Sequence, residues 1–132
     1  MADRSKDWLA QAQRDLAHAV HSCSDDHFEW ACFSAQQGGS KAVKAVYLDR
    51  HGEGWGHSVL KLLRGLPGEL AVSDELLDAA RALDKHYIPT RYPNGFDQGF
   101  PGDYYTQKEA NEAIEHARAI IGFCEGVLRG QG

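Results

Sequence analysis

The chain has 132 residues, 42% of them hydrophobic and 25% charged, which is enough to bury one core without disulfide or metal staples. A formal net charge of −5 argues against the broad basic surface of a protein that coats nucleic acid, so contact with RNA or nucleotide has to come from a local cationic pocket. No apolar run approaches the roughly 20 residues of a membrane span, and charges stand where a signal peptide needs its apolar segment, so a cytoplasmic protein is expected.

The first helical pattern runs from about Ser5 to His21, with Trp8, Leu9, Ala12, Leu16, Ala19 and Val20 at three- and four-residue spacings. A second begins near Asp26, which with Glu29 resembles a capping pair, and continues to about Arg50. From Phe28 to Leu48 it is apolar on most of its circumference, broken chiefly by Gln36, Gln37, Ser40, Lys41 and Lys44, as expected of a central helix. Gly38 and Gly39 should each cost about 1 kcal/mol there relative to alanine. They mark close helix packing or a kink, or else a place where a ligand or second subunit meets the backbone. So apolar a helix also points to a homodimer, because a monomer would leave a patch exposed. Gln37, Lys41 and Lys44 share one face, either as a solvated row or as a holder for phosphates.

Gly52, Gly54 and Gly56 break the pattern, and a short helix is expected over about Ser58–Arg64. A fourth opens at Ser73, with Asp74 and Glu75 suiting the positive end of the helix dipole, and continues to about His86. Thr106 and Glu109 form a capping box for the last helix, which runs to about Leu128 before a fraying tail, Arg129–Gly132. With no period-2 strand and no repeat, the expected architecture is all-α: one domain over 1–132, an up-and-down bundle of about five helices. Cys23, Cys32 and Cys124 lack paired spacing and read as reduced thiols on helices.

The segment DKHYIPTRYPNGF, Asp84 to Phe96, is the chemically richest. Pro89 and Pro93 push the residues before them toward extended conformations and stiffen the loop. Stiffness would present Arg91, whose planar fork suits phosphate oxygens, while Tyr87 and Tyr92 could stack on a base. Lys85 and His86 add local positive charge. The plainer alternative pairs Arg91 with a carboxylate such as Asp84 or Asp97 and packs both tyrosines on the end of the bundle. Gly95, Gly99 and Gly102 predict a mobile middle to this long loop, which ends at Tyr104 and Tyr105. Seven histidines invite a metal, yet none has the Cys/His spacing of a zinc site or the HExxH pattern, so neither metal nor other cofactor is expected. Phosphate-cradling glycine motifs and a nucleophile context for the cysteines are likewise missing.

In order along the chain, WLAQAQRDL, FSAQQGGSKAVKAVYL, GHSVLKLL and LDKHYIPTRYP resemble HEPN domains over about Lys6 to Val127. The subgroup is similar to stand-alone prokaryotic HEPN proteins encoded beside a minimal nucleotidyltransferase. The resemblance implies a helical bundle, commonly homodimeric, that binds a nucleotide such as ATP or GTP, or RNA, and works with that transferase as a partner, in some cases as a toxin–antitoxin pair. Many HEPN relatives are metal-independent ribonucleases with an arginine, four to six residues, then a histidine. The histidine moves a proton as the RNA 2′-hydroxyl attacks, and the arginine stabilises the developing charge.

No histidine follows Arg91 at that spacing. Arg14/His21, Arg50/His57 and Arg81/His86 do fit it, and Arg81/His86 stands nearest the expected region. Five residues along an ideal helix set those two side chains about 140° apart, so a catalytic Arg81–His86 pair requires the helix to unwind first. The leading expectation is therefore a nucleotide-binding or regulatory protein using Arg91, Tyr87, Tyr92 and Lys85, with Lys41 and Lys44 assisting if their face turns toward the loop. A ribonuclease toxin and a non-catalytic dimeric interaction module are the alternatives.

Overall fold

A computed structural model describes residues 3–130, so Gln131 and Gly132 of the expected fraying tail lie outside the described residues. Six helices follow in order: α1 (Ser5–Ser24), α2 (Phe28–Asp49), α3 (Val59–Arg64), α4 (Asp74–Asp84), α5 (Pro101–Tyr104) and α6 (Gln107–Leu128). Strands are absent among the described residues, as the patterning predicts.

Helix α2 is the axis of the molecule. Ala31, Cys32, Ala35, Ala42, Val43, Ala45 and Val46 are fully buried along it. Its neighbours are α1 and α6 along most of its length, with α3, α4 and α5 against the remainder. Small residues set how closely these helices approach. A Cβ on Gly38 would stand 3.1 Å from the Ala12 carbonyl oxygen of α1, and one on Gly39 would stand 3.3 Å from Leu83 of α4. The glycine pair therefore serves helix packing, the first of the two roles its position suggested. The larger core side chains, among them Leu63, Leu83, Ile120, Val43, Val46 and Val59, are essentially inaccessible to solvent. Each contributes about 1.5–3 kcal/mol by leaving water. Cys23, Cys32 and Cys124 are buried free thiols, and burial pushes Cys32 and Cys124 up to about 12.

Two of the expected caps form, at Ser73 and Thr106, and Ser58 supplies one more. Ser58, Ser73 and Thr106 each accept from the backbone N–H three residues on, and Glu109 closes the reciprocal bond to Thr106. The Asp26 cap does not form. Asp26 adopts a left-handed conformation (φ 64°) in the turn between α1 and α2, and α2 starts at Phe28 with no side-chain cap. Aspartate tolerates that conformation better than most residues, so a turn takes the residue that a helix start would otherwise have used.

Two further differences concern the loop. Helix α4 stops at Asp84 rather than reaching His86, and the chain turns tightly there: Thr90 Oγ1 donates to the His86 carbonyl (2.7 Å) and Arg91 N to the Ile88 carbonyl (3.1 Å). The glycine-containing middle, expected to be mobile, folds on itself. Phe96 and Tyr104 stack with centroids 4.3 Å apart, Tyr104 Oη donates to the Gln98 carbonyl at 2.6 Å, and Pro101 starts the one-turn helix α5. Here Gly99 takes φ 81°, a conformation glycine adopts without strain.

Candidate functional site

The turn after α4 carries Tyr87 and Arg91 back over the start of α2. Arg91 Nε and Nη2 both donate to the Tyr87 carbonyl, at 2.9 and 2.7 Å. Its guanidinium carbon lies 4.4 Å from the Phe33 ring centroid, 4.7 Å from Tyr87 and 5.2 Å from Tyr92. Trp30 meets Phe33 edge-on at 6.1 Å and extends this aromatic surface, with Trp30 and Tyr92 about half exposed. The cation is thus pinned by a carbonyl and three rings. Neither Asp84 nor Asp97 forms an ion pair with it, nor does any other described carboxylate. Aromatic faces attract a cation without neutralising it, so the charge remains available to an incoming anion. The guanidinium also keeps N–H groups that meet no protein acceptor among the described residues.

Beside this cage lies a cavity of about 150 Å³ lined by Gln36, His57, Ser58, Asp84 and Tyr87. The His57 ring stacks on Tyr87 with centroids 4.7 Å apart. Asp84 holds the arrangement together: its carboxylate accepts from Ser58 Oγ (2.9 Å), from the backbone N–H of Val59 (2.9 Å) and Leu60 (3.0 Å), and from Gln36 Nε2 (3.2 Å). An acidic side chain from the end of α4 so caps the start of α3, where it is electrostatically favoured. Gln36, fully buried, also donates to the His57 carbonyl at 2.7 Å and accepts from Gln37. The cavity is below the usual size for a whole small-molecule ligand, so it admits one moiety while the remainder lies on the open aromatic face.

Other expected residues fall elsewhere. Lys41 and Lys44 face α1: Lys41 is paired with Asp15 at 2.7 Å, and Lys44 stands 5.7 Å from the Trp8 ring. Their face does not turn toward the Arg91 loop. Lys85 is exposed and lines, with His86, Glu109 and His116, a separate cavity of about 240 Å³ between α4 and α6. His86 Nδ1 lies 3.3 Å from Tyr105 Oη. Burial depresses the His86 pKa, opposed by Glu109 and reinforced by His116 and Lys85, while burial lifts the Tyr105 phenol to about 12. Arg81 is engaged with Asp78 at 2.7 Å. The helix does end before His86, yet no hydrogen bond joins Arg81 to His86, and each side chain is committed to another partner. Among the described residues no group of three or more His, Cys, Asp or Glu is placed to hold a metal, and no helix is long and apolar enough to cross a membrane.

The family model for the HEPN domain matches residues 5–127. The chain belongs to the HEPN domain family. Its fold is close to that of solved structures. One, from Thermus thermophilus, is 44% identical with a TM-score of 0.91, over 94% of this chain and 98% of that one. An archaeal HEPN homologue is 38% identical with a TM-score of 0.80, over 96% and 99%. A HEPN domain protein from Thermotoga maritima is 36% identical with a TM-score of 0.76, over 92% and 97%. A Methanocaldococcus jannaschii protein named as a candidate toxin is 24% identical over 95% of this chain and 88% of its own length.

Within this HEPN bundle, sequence reasoning put Arg91, Tyr87 and Tyr92 together with Asp84 as a possible ion-pair partner, and missed Phe33, His57, Gln36 and Ser58 as their surroundings and Asp84's place at the start of α3. Phe33 reads as one more apolar residue of α2, and His57 as one of a glycine loop. The signal available was Ser58 at a helix start, which needs an acceptor-rich neighbourhood, together with the buried glutamine that an otherwise apolar helix has to satisfy.

Proposed function

We propose that this HEPN protein binds a nucleotide or a short RNA at the Arg91 cage, with phosphate on the Arg91 guanidinium and the base or sugar against Tyr92 and the Tyr87–His57 stack. One observation carries the reading: a fixed arginine, flanked by three aromatic rings and matched to no carboxylate, on a chain of net charge −5. An isolated cation on an acidic molecule is a local attractor for anions, and the adjacent rings suit a planar base. In this reading the protein is regulatory, works as a homodimer and acts with a minimal nucleotidyltransferase partner. The candidate-toxin relative supports a place in a toxin–antitoxin pair.

Calorimetric titration with ATP, GTP and short RNAs tests the reading. Saturable binding to the native chain, lost or weakened at least about tenfold in Arg91→Ala, is the expected result, since a charge-assisted contact is worth about 1.5–3 kcal/mol. No binding, or equal binding by the variant, overturns it.

A further inference from the structure

A second concave site also borders His57. It is a cavity of about 340 Å³ lined by Trp8, Lys44, Leu48, Glu53, Gly54, Trp55, Gly56 and His57, within the range that takes a whole small molecule. Trp55 is 80% exposed, a large ring left in water although burying such a ring is worth several kcal/mol. The glycine loop is packed tightly underneath it. A Cβ on Gly54 would meet Leu62 at 3.0 Å, and Lys44 Cγ and Tyr47 at 3.2 Å, so the loop backbone rests on the Lys44 stem. Gly56 adopts φ 86°, which lets the chain turn immediately after Trp55.

Lys44 is the chemically informative member. It is partly buried, lies 5.7 Å from the Trp8 centroid, and has no ion pair or hydrogen-bond acceptor among the described residues. Burial lowers its pKa and the nearby Lys41 adds to the effect, so an arriving anion would relieve both penalties. Lys41 cannot serve in its place, being held by Asp15. Glu53 is exposed, so its opposing charge is screened by water and salt, whereas the charge of partly buried Lys44 is screened less.

We propose that this cavity binds a small molecule with a planar apolar ring and one anionic group, the anion on Lys44 Nζ and the ring against Trp8 and Trp55. The site uses none of the Arg91 cage residues except bordering His57, and it stands whether or not a nucleotide binds at Arg91. The probes are 4-nitrobenzoate and its neutral counterpart 4-nitrobenzyl alcohol, read by tryptophan fluorescence in a Trp30→Phe background, where both remaining indoles line the cavity. Quenching by the carboxylate should saturate, and its affinity should exceed that of the alcohol at least about tenfold. Lys44→Met, which keeps the apolar stem, should bring the two probes within about twofold of each other. Trp55→Ala should weaken both. Unsaturable quenching, equal affinity for the two probes while Lys44 is present, or an anion preference that survives Lys44→Met would overturn the proposal. The comparison of the two probes in the Trp30→Phe chain with Lys44 and Trp55 intact decides even if Lys44→Met or Trp55→Ala misfolds.

Discussion

At Asp84, one carboxylate accepts four hydrogen bonds and ties α2, α3 and α4 at a single point. Replacing it with alanine strands two backbone N–H groups and the Ser58 hydroxyl, and should cost about 2–3 kcal/mol by urea unfolding. Arg91→Lys keeps the charge but removes both the planar stack on the rings and the two-pronged bond to the Tyr87 carbonyl, so ligand affinity measured by calorimetry should fall with it, toward the alanine level. His86 makes a prediction about pH. Its folded pKa lies below the ordinary 6.5, so the unfolded chain takes up a proton first as pH falls. The stability contribution is complete above 6.5 and is lost as pH drops through the depressed value. Urea midpoints should therefore decline from pH 7 to pH 5, and decline less in His86→Gln. An unchanged slope in that variant would refute the role of burial at His86. At this scale the sequence disclosed the residues that chemistry alone marks, the arginine and tyrosines of a proline-stiffened loop. It did not disclose Phe33 or His57, because their roles arise only when α2 and the glycine loop are brought to Tyr87 by packing.

Among the elements, α2 shows how far patterning reaches. A mostly apolar circumference identified it as central, and the structure sets the five other helices against it. The two glycines on it should respond differently to alanine. Gly38 faces a backbone oxygen of α1, which cannot move without shifting the helix, while Gly39 faces the end of the Leu83 side chain, which can. Alanine gains about 1 kcal/mol of helix propensity at either position. Thermal unfolding should therefore show Gly39→Ala close to neutral and Gly38→Ala clearly destabilised; the reverse order would mean the helix contacts are misjudged. Helix starts at Ser58, Ser73 and Thr106 were legible because a side-chain acceptor is a local signal. Asp26 and the end of α4 were not. A left-handed aspartate and a capping aspartate look alike in sequence, and α4 ends where Asp84 is drawn to α3, a partner distant along the chain. Likewise, the glycines of the long loop suggested motion, whereas the Phe96–Tyr104 stack and α5 supply order that only the folded arrangement reveals.

For the molecule as a whole, charge and exposed aromatic surface work together. A net charge of −5 repels nucleic acid in general, so in the proposed reading binding falls to the caged Arg91 cation, which favours selective contact over coating. Of six large hydrophobic side chains left exposed among the described residues, Trp30, Ile88, Tyr92, Phe100 and Tyr104 belong to the start of α2 or the loop after α4. Such surface suits partner contact as well as base stacking. If the proposed homodimer forms, light scattering should return twice the chain mass of 14.6 kDa, and a monomer at micromolar concentration would remove that part of the proposal. The most direct measurement is a crystal structure of the chain with whichever of ATP, GTP or a short RNA binds most tightly. Our account predicts a phosphate oxygen within about 3 Å of the Arg91 guanidinium and a ring stacked on Tyr92 or Tyr87. A ligand bound elsewhere, with Arg91 still touching only its three rings and the Tyr87 carbonyl, would contradict it.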